Sequence, residues 1–170
     1  EDDHDHSHDD LNDPHVWLSA TMLKNQSKQI SDRLKKLIPD SADAIDQNLT
    51  AFHQELETVH AELTESLKER KGTNFFVYHG AFAYFAQDYG LEQVAVEIGN
   101  RKPTPQQLAD LVKQAKASDI KLIFVQPQFD QSSAKALAES IGGEIRILDP
   151  LEKDVIANLR KIAVAIKGDS

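Results

Sequence analysis

Apolar residues recur at helical spacing at Leu23, Ile30, Leu34 and Leu37, and the pattern stops at Pro39. Ser19 stands where an N-cap belongs, so the first predicted helix begins just after it. A second helical pattern opens near Ser41 or Asp43 and runs through Ile45, Leu49, Phe52, Leu56, Val59, Leu63 and Leu67. Lys68, Arg70 and Lys71 follow, basic as a helix end favours, and Gly72 stops it. Such a helix is about 40 Å long at the usual rise. That is more than a small domain needs, so it is expected either to find a coiled-coil partner or to act as a spine.

From residue 74 the period changes. NFFVY, EQVAVEI, IKLIFVQ and GEIRIL are short β-rich runs, separated by helical stretches at 80–89, 105–118 and 131–141, with a last helix at 152–167. Alternating strand and helix predicts an α/β fold, a mostly parallel four-stranded sheet covered by helices on both faces. The expected division is 1–13 as an acidic tract, 14–42 as a short helical segment, 43–72 as the long helix and 73–170 as one α/β domain.

Composition narrows the function. The formal net charge is −9, of which Glu1, Asp2, Asp3, Asp5, Asp9 and Asp10 supply −6, so the remaining 160 residues carry only −3. A nucleic-acid partner would need a basic face, which this balance disfavours. Cysteine is absent, which removes thiolate metal sites, disulfides and cysteine nucleophiles and leaves the redox compartment open. There is no run of 18 apolar residues, and the opening residues are not expected to be a signal peptide. The opening EDDHDHSHDD is expected to be the interior of a longer protein or a processed start. Residues 1–10, with six acids and three histidines, are expected to be disordered without metal.

Functional groups of open α/β sheets gather at the carboxyl ends of the strands. There NFFVY is followed by His79, LIFV by Gln126 and EIRIL by Asp149. Without cysteine, imidazole and carboxylate are the ligands left for a metal such as zinc. His15, in the turn NDPHVW behind the restricting Pro14, offers another imidazole. Each also has an ordinary reading: a packed histidine after a strand, a turn-forming Asp149 before Pro150, a surface turn beside Trp17. His53 and His60, seven apart with Glu57 between them, fit a solvated helix face better than a metal pair. His4, His6 and His8 alternate with acids, a composition that binds zinc weakly. No GxSxG elbow, HExxH pair or glycine-rich phosphate loop occurs, and Ser132–Ser133 has no base at a recognisable spacing.

Taken in order, the acidic His-rich stretch, DPHVWLS, the long helix, FFVYHGAFAYFAQDYGL, LIFVQPQF and ILDPL resemble the zinc-binding solute receptors of bacterial ABC importers, the ZnuA-like group. The resemblance implies a two-lobed receptor with metal between the lobes and residues 43–70 as the connecting spine. It implies His15 as a ligand from the amino-terminal lobe, with His79 and Asp149 from the carboxy-terminal lobe. The tract at His4, His6 and His8 would be a mobile loop with secondary, low-affinity metal binding. Manganese members usually carry Glu where His79 stands, so the resemblance favours zinc.

Three departures follow. A further histidine ligand would precede residue 1, so the chain is expected to be the carboxy-terminal part of a receptor of roughly 280–300 residues, above the usual single-domain size. The family's EPQF motif reads Gln126-Pro127-Gln128-Phe129 here, which removes a charge near the site, and Gln126→Ala is expected to matter little for zinc binding. The disulfide of some members cannot form. With its lobe missing, His15 is expected to depend only on the first helix docking against the spine, and the uncovered helices to self-associate.

The resemblance thus implies a periplasmic receptor, not an enzyme, that delivers zinc to an ABC importer permease. A manganese receptor, a zinc buffer acting through the His/Asp tract, and a zinc hydrolase with Glu97 as its base are the competing readings.

Overall fold

A computed structural model describes residues 13–99 and 101–168. Along the chain come α1 (Ala20–Leu37), α2 (Ala42–Ser66), β1 (Asn74–Val77), α3 (Ala83–Tyr89), β2 (Glu92–Ala95), α4 (Pro105–Ala117), β3 (Leu122–Val125), α5 (Ser132–Ile141), β4 (Glu144–Ile147) and α6 (Val155–Lys167). The four strands form one parallel sheet in the order β2-β1-β3-β4. The fold class is the one the alternating pattern predicts, and the strand order is added by the structure.

Side chains alternate across this sheet with a period of two, which divides the core into two layers. Phe75, Val77 and Phe124 face Leu56, Val59 and Leu63 of α2 and Leu159 and Ile162 of α6. Phe76, Ile123 and Val125 face Leu111 and Ala115 of α4 and Leu137 and Ile141 of α5. Each of the larger side chains among these contributes about 1.5–3 kcal/mol of transfer free energy. Arg160 of α6 also donates to Glu62 of α2 at 2.7 Å.

Four boundaries differ from the sequence reading. The helix expected at 80–89 starts at Ala83, because the peptides before it turn sharply: Ala81 N–H bonds His79 O at 2.9 Å, and Phe82 N–H bonds Gln93 Oε1 at 2.6 Å. The last helix starts at Val155, not 152, with the Asp154 carboxylate capping Ala157 N–H. β2 ends at Ala95, although Val96 and Glu97 still donate to Val77 and Tyr78 carbonyls. The long helix gives way after Ser66 to a 3-10 turn at Lys68–Arg70.

The apolar stripe of α1 is only partly used. Ala20 and Leu23 are buried, while Ile30, Leu34, Leu37 and neighbouring Ile38 stay exposed. No helix among the described residues is long and apolar enough to cross a membrane.

Candidate metal centre

The strand order places β1 between β2 and β3, so the winding reverses around β1 and opens a crevice at the carboxyl ends of β1 and β3. His79 lies two residues beyond β1, and Gln126 directly follows β3. The fully buried Gln126 side chain spans this crevice. Its Oε1 accepts His79 N–H at 3.0 Å, and its Nε2 donates to His79 O at 2.9 Å. Gln126 thus clasps the backbone that carries His79. Its amide is committed to the peptide and not to an ion, a structural role that the expectation about zinc binding did not address. Phe129 stacks on the His79 ring with centroids 4.6 Å apart and planes at 21°. On the ring's edge, Nδ1 is hydrogen-bonded to the buried Glu97 carboxylate.

His15 is held from a different part of the sequence. It precedes a 3-10 turn at Val16–Leu18. Asp13 Oδ1 accepts both its backbone N–H, at 2.9 Å, and its ring Nδ1, at 2.5 Å. Trp17 Nε1 donates to Pro150 O at 2.9 Å, in the turn that carries Asp149, and Leu18 is wholly buried in the core beneath. Ser19 Oγ caps α1 at Met22 N–H and donates to Asp88 of α3 at 2.7 Å. These contacts correct the expectation that His15 rests only on α1 docking against α2: the α/β layers hold it directly.

The two imidazoles meet edge to face, with centroids 5.1 Å apart and planes at 76°. Their Nε2 atoms are 3.3 Å apart. A carboxylate only accepts, so in a neutral imidazole an acceptor at Nδ1 favours the ring proton there and leaves the lone pair on Nε2. Two lone pairs at this distance repel unless something positive lies between them. Two nitrogens bound tetrahedrally to zinc at the usual bond length would be about 3.3–3.4 Å apart. The pair therefore has the spacing that a tetrahedral ion requires.

Asp149 stands at the same sheet edge, past β4. Its Oδ1 accepts Gln128 Nε2 at 2.8 Å and Leu151 N–H at 2.9 Å, and Asn158 holds its backbone carbonyl at 2.9 Å. It does not close on the imidazoles: among the described residues no three His, Asp or Glu side chains are grouped to hold an ion. His53 and His60 do not form a metal pair, nor are they a purely solvated face. His53 Nε2 bonds Ser27 Oγ of α1 at 3.0 Å, and His60 packs against Tyr89 of α3. His4, His6 and His8 lie outside the described residues, as does the expected disorder of 1–10.

Glu97 entered the sequence reading only as a base for a zinc hydrolase. The structure puts it at Nδ1, across the ring from Nε2, where it cannot serve water bound on the Nε2 side. Its role and that of Asp13 were missed because a carboxylate two or eighteen residues from a histidine carries no signal until strand pairing sets the distance. Two clefts among the described residues, of about 630 and 500 Å³, lie elsewhere, one beside the carboxyl end of α2 and the other at the amino ends of β1 and β3.

Comparison with known proteins identifies the family of this chain. Residues 1–167 match the family described as "ZnuA: Zinc-uptake complex component A periplasmic". The zinc-binding lipoprotein AdcA of Streptococcus pneumoniae (strain ATCC BAA-255 / R6) is 33% identical over 157 residues, covering 89% of this chain and 31% of that protein. A crystal structure of ZnuA superimposes with a TM-score of 0.88 at 39% identity, covering 91% of this chain and 61% of that one. A ZnuA deletion mutant with zinc bound gives 0.85 at 38% identity, covering 91% and 60%. The chain thus spans about a third of the AdcA relative and about three fifths of these ZnuA structures. With the match running through nearly every residue, the chain belongs to the ZnuA family of periplasmic zinc-uptake components.

Proposed function

We propose that this chain is the zinc-capturing part of a receptor that works on the outer side of a membrane, in the periplasm, and hands Zn²⁺ to an ABC importer permease. The ion is cargo, and the protein performs no reaction on it. His15 and His79 supply two imidazole nitrogens, and Asp149 supplies a carboxylate oxygen once its side chain turns toward them. The fourth position falls to a group outside this chain or to water. The observation that carries this reading is the 3.3 Å separation of two Nε2 atoms whose partner nitrogens are both occupied by carboxylates. The names of the relatives, zinc-binding and zinc-uptake proteins, support the choice of metal. Two imidazoles favour zinc over manganese, which prefers oxygen. The same reading includes self-association through the exposed Ile30, Leu34, Leu37 and Ile38.

The test is a competition titration of zinc and manganese, followed through Trp17. It is the single tryptophan, and its ring lies 5.2 Å from His15, so an ion at His15 changes its emission. Zinc should displace manganese, and His79→Ala should weaken zinc binding about a hundredfold or more. That magnitude follows if a four-ligand site yields about 10–16 kcal/mol, roughly 3 kcal/mol per ligand. Equal retention of manganese would refute the metal assignment. Loss of all binding on removing residues 1–10 would place the function in the His/Asp tract instead.

A further inference from the structure

The geometry points to Glu97 as a positioning residue that sets which nitrogen of His79 faces the ion. This inference rests on the zinc-capture reading and adds a residue that does not itself bind the metal. An imidazole ligand works only with its lone pair aimed at the ion. Free neutral imidazole side chains in water favour the Nε2–H form, which would turn a proton, not a lone pair, toward His15. An acceptor at Nδ1 reverses that preference, and a ring nitrogen held by an outer carboxylate is also more basic toward metal.

Glu97 is placed for this task by the sheet. It extends β2 by two residues, where its own N–H donates to Tyr78 O at 3.1 Å, so its backbone is registered against the residue preceding His79. Its carboxylate is buried, with the side chain 7% exposed, and hydrogen-bonds the His79 ring at Nδ1. A buried carboxylate without a firm partner is costly, so the pairing is mutual: Glu97 needs the N–H as much as His79 needs the acceptor. The other degrees of freedom of the ring are already taken. Gln126 fixes the backbone, and Phe129 lies against the face. What remains is the choice of protonated nitrogen, and only Glu97 touches Nδ1 among the described residues. Asp13 stands in the same relation to His15, but it is two residues away and also binds the His15 backbone, so its removal would disturb the turn as well.

The experiment uses the whole chain without metal, labelled with ¹⁵N in histidine, at a pH where imidazoles are neutral. Long-range proton–nitrogen spectra distinguish a protonated from a bare ring nitrogen. In the unsubstituted chain His79 should show a protonated Nδ1 and a bare Nε2. Glu97→Ala and Glu97→Leu should both convert it to the Nε2–H form and weaken zinc binding about 10–100-fold. The leucine keeps the volume without an acceptor, so a change common to both variants reports the lost acceptor and not lost packing. An Nε2–H ring in the unsubstituted chain, or a bare Nε2 retained in both variants, would overturn the inference whatever the zinc affinity. Failure of the zinc-capture reading looks different: the tautomer shifts as expected, yet the unsubstituted chain binds no zinc at His15 and His79.

Discussion

Replacing Ser19 by alanine should loosen the attachment of α1 to the α/β layers, and the structure gives the size of the effect. Ser19 is buried, and its hydroxyl has two bonds: it accepts Met22 N–H at 3.0 Å and donates to Asp88 Oδ2 at 2.7 Å. Loss of the cap costs about 1 kcal/mol. A hydrogen bond to an ionised acceptor is worth about 1.5–3 kcal/mol, and the lower end applies because Asp88 is half-buried and water can replace part of it. The sum is about 2–3 kcal/mol. Asp88→Ala removes both the acceptor of Ser19 and the negative charge near the amino end of α1, which should cost about 2 kcal/mol, of which the charge contributes about 0.3–1 kcal/mol. Urea unfolding of both single variants and the double variant measures the terms separately, and the Ser19–Asp88 coupling should be about 1 kcal/mol. A Ser19→Ala loss below about 0.5 kcal/mol, or single-variant losses that simply add, would refute the reasoning. Because Ser19 is four residues beyond His15, the same variant should weaken zinc binding without touching a ligand.

Two other substitutions test the surroundings of the site. Gln126→Ala should destabilise the chain by about 2–3 kcal/mol in urea unfolding, because His79 N–H loses its acceptor while His79 O keeps Ala81 N–H; a silent change would show that the clasp is not used. Asp130 is held down at about 2 by the Lys102 ammonium and by Ser132, whose backbone N–H and hydroxyl both donate to it. A depressed carboxyl stabilises the fold above the ordinary range and loses that contribution as pH falls from about 4 toward 2. Asp130→Asn should therefore flatten the pH dependence of the urea midpoint in that window, and parallel curves for the two proteins would refute the assignment.

The helices and strands were legible because each obeys one period. Leu56, Val59 and Leu63 on α2, and Phe75 and Val77 against Phe76 on β1, fall on the faces their spacing predicts. His79, Gln126 and Asp149 could be placed at one sheet edge because parallel strands put their carboxyl ends together. Boundaries set by side-chain bonds were not legible: the turn before Ala83 depends on Gln93, eleven residues beyond Phe82. Nor could the period say which apolar residues lack a covering layer, as Ile30 and Leu37 do. The structural role of Gln126 was missed for a related reason. Its loss of charge relative to the EPQF motif drew attention to the ion, whereas its contacts are with a peptide.

The distances also bear on how an ion could leave. His15 and Asp149 are far apart in sequence, yet the Trp17–Pro150 bond ties their two turns together, and Ser19–Asp88 ties the start of α1 to α3. Separating His15 from His79 by rigid movement would have to break both bonds and expose Leu18, which is 0% exposed. The two bonds together are worth about 2–4 kcal/mol and a buried leucine about 1.5–3 kcal/mol more. Against that, the Asp149 carboxylate turns about a side-chain bond, and its known partners are one glutamine side chain and one backbone N–H. Exchanging those partners for the ion costs less than moving a helix. On the proposed zinc-capture reading, the less costly route for capture and release is therefore motion of the Asp149 side chain over an imidazole pair that stays in place.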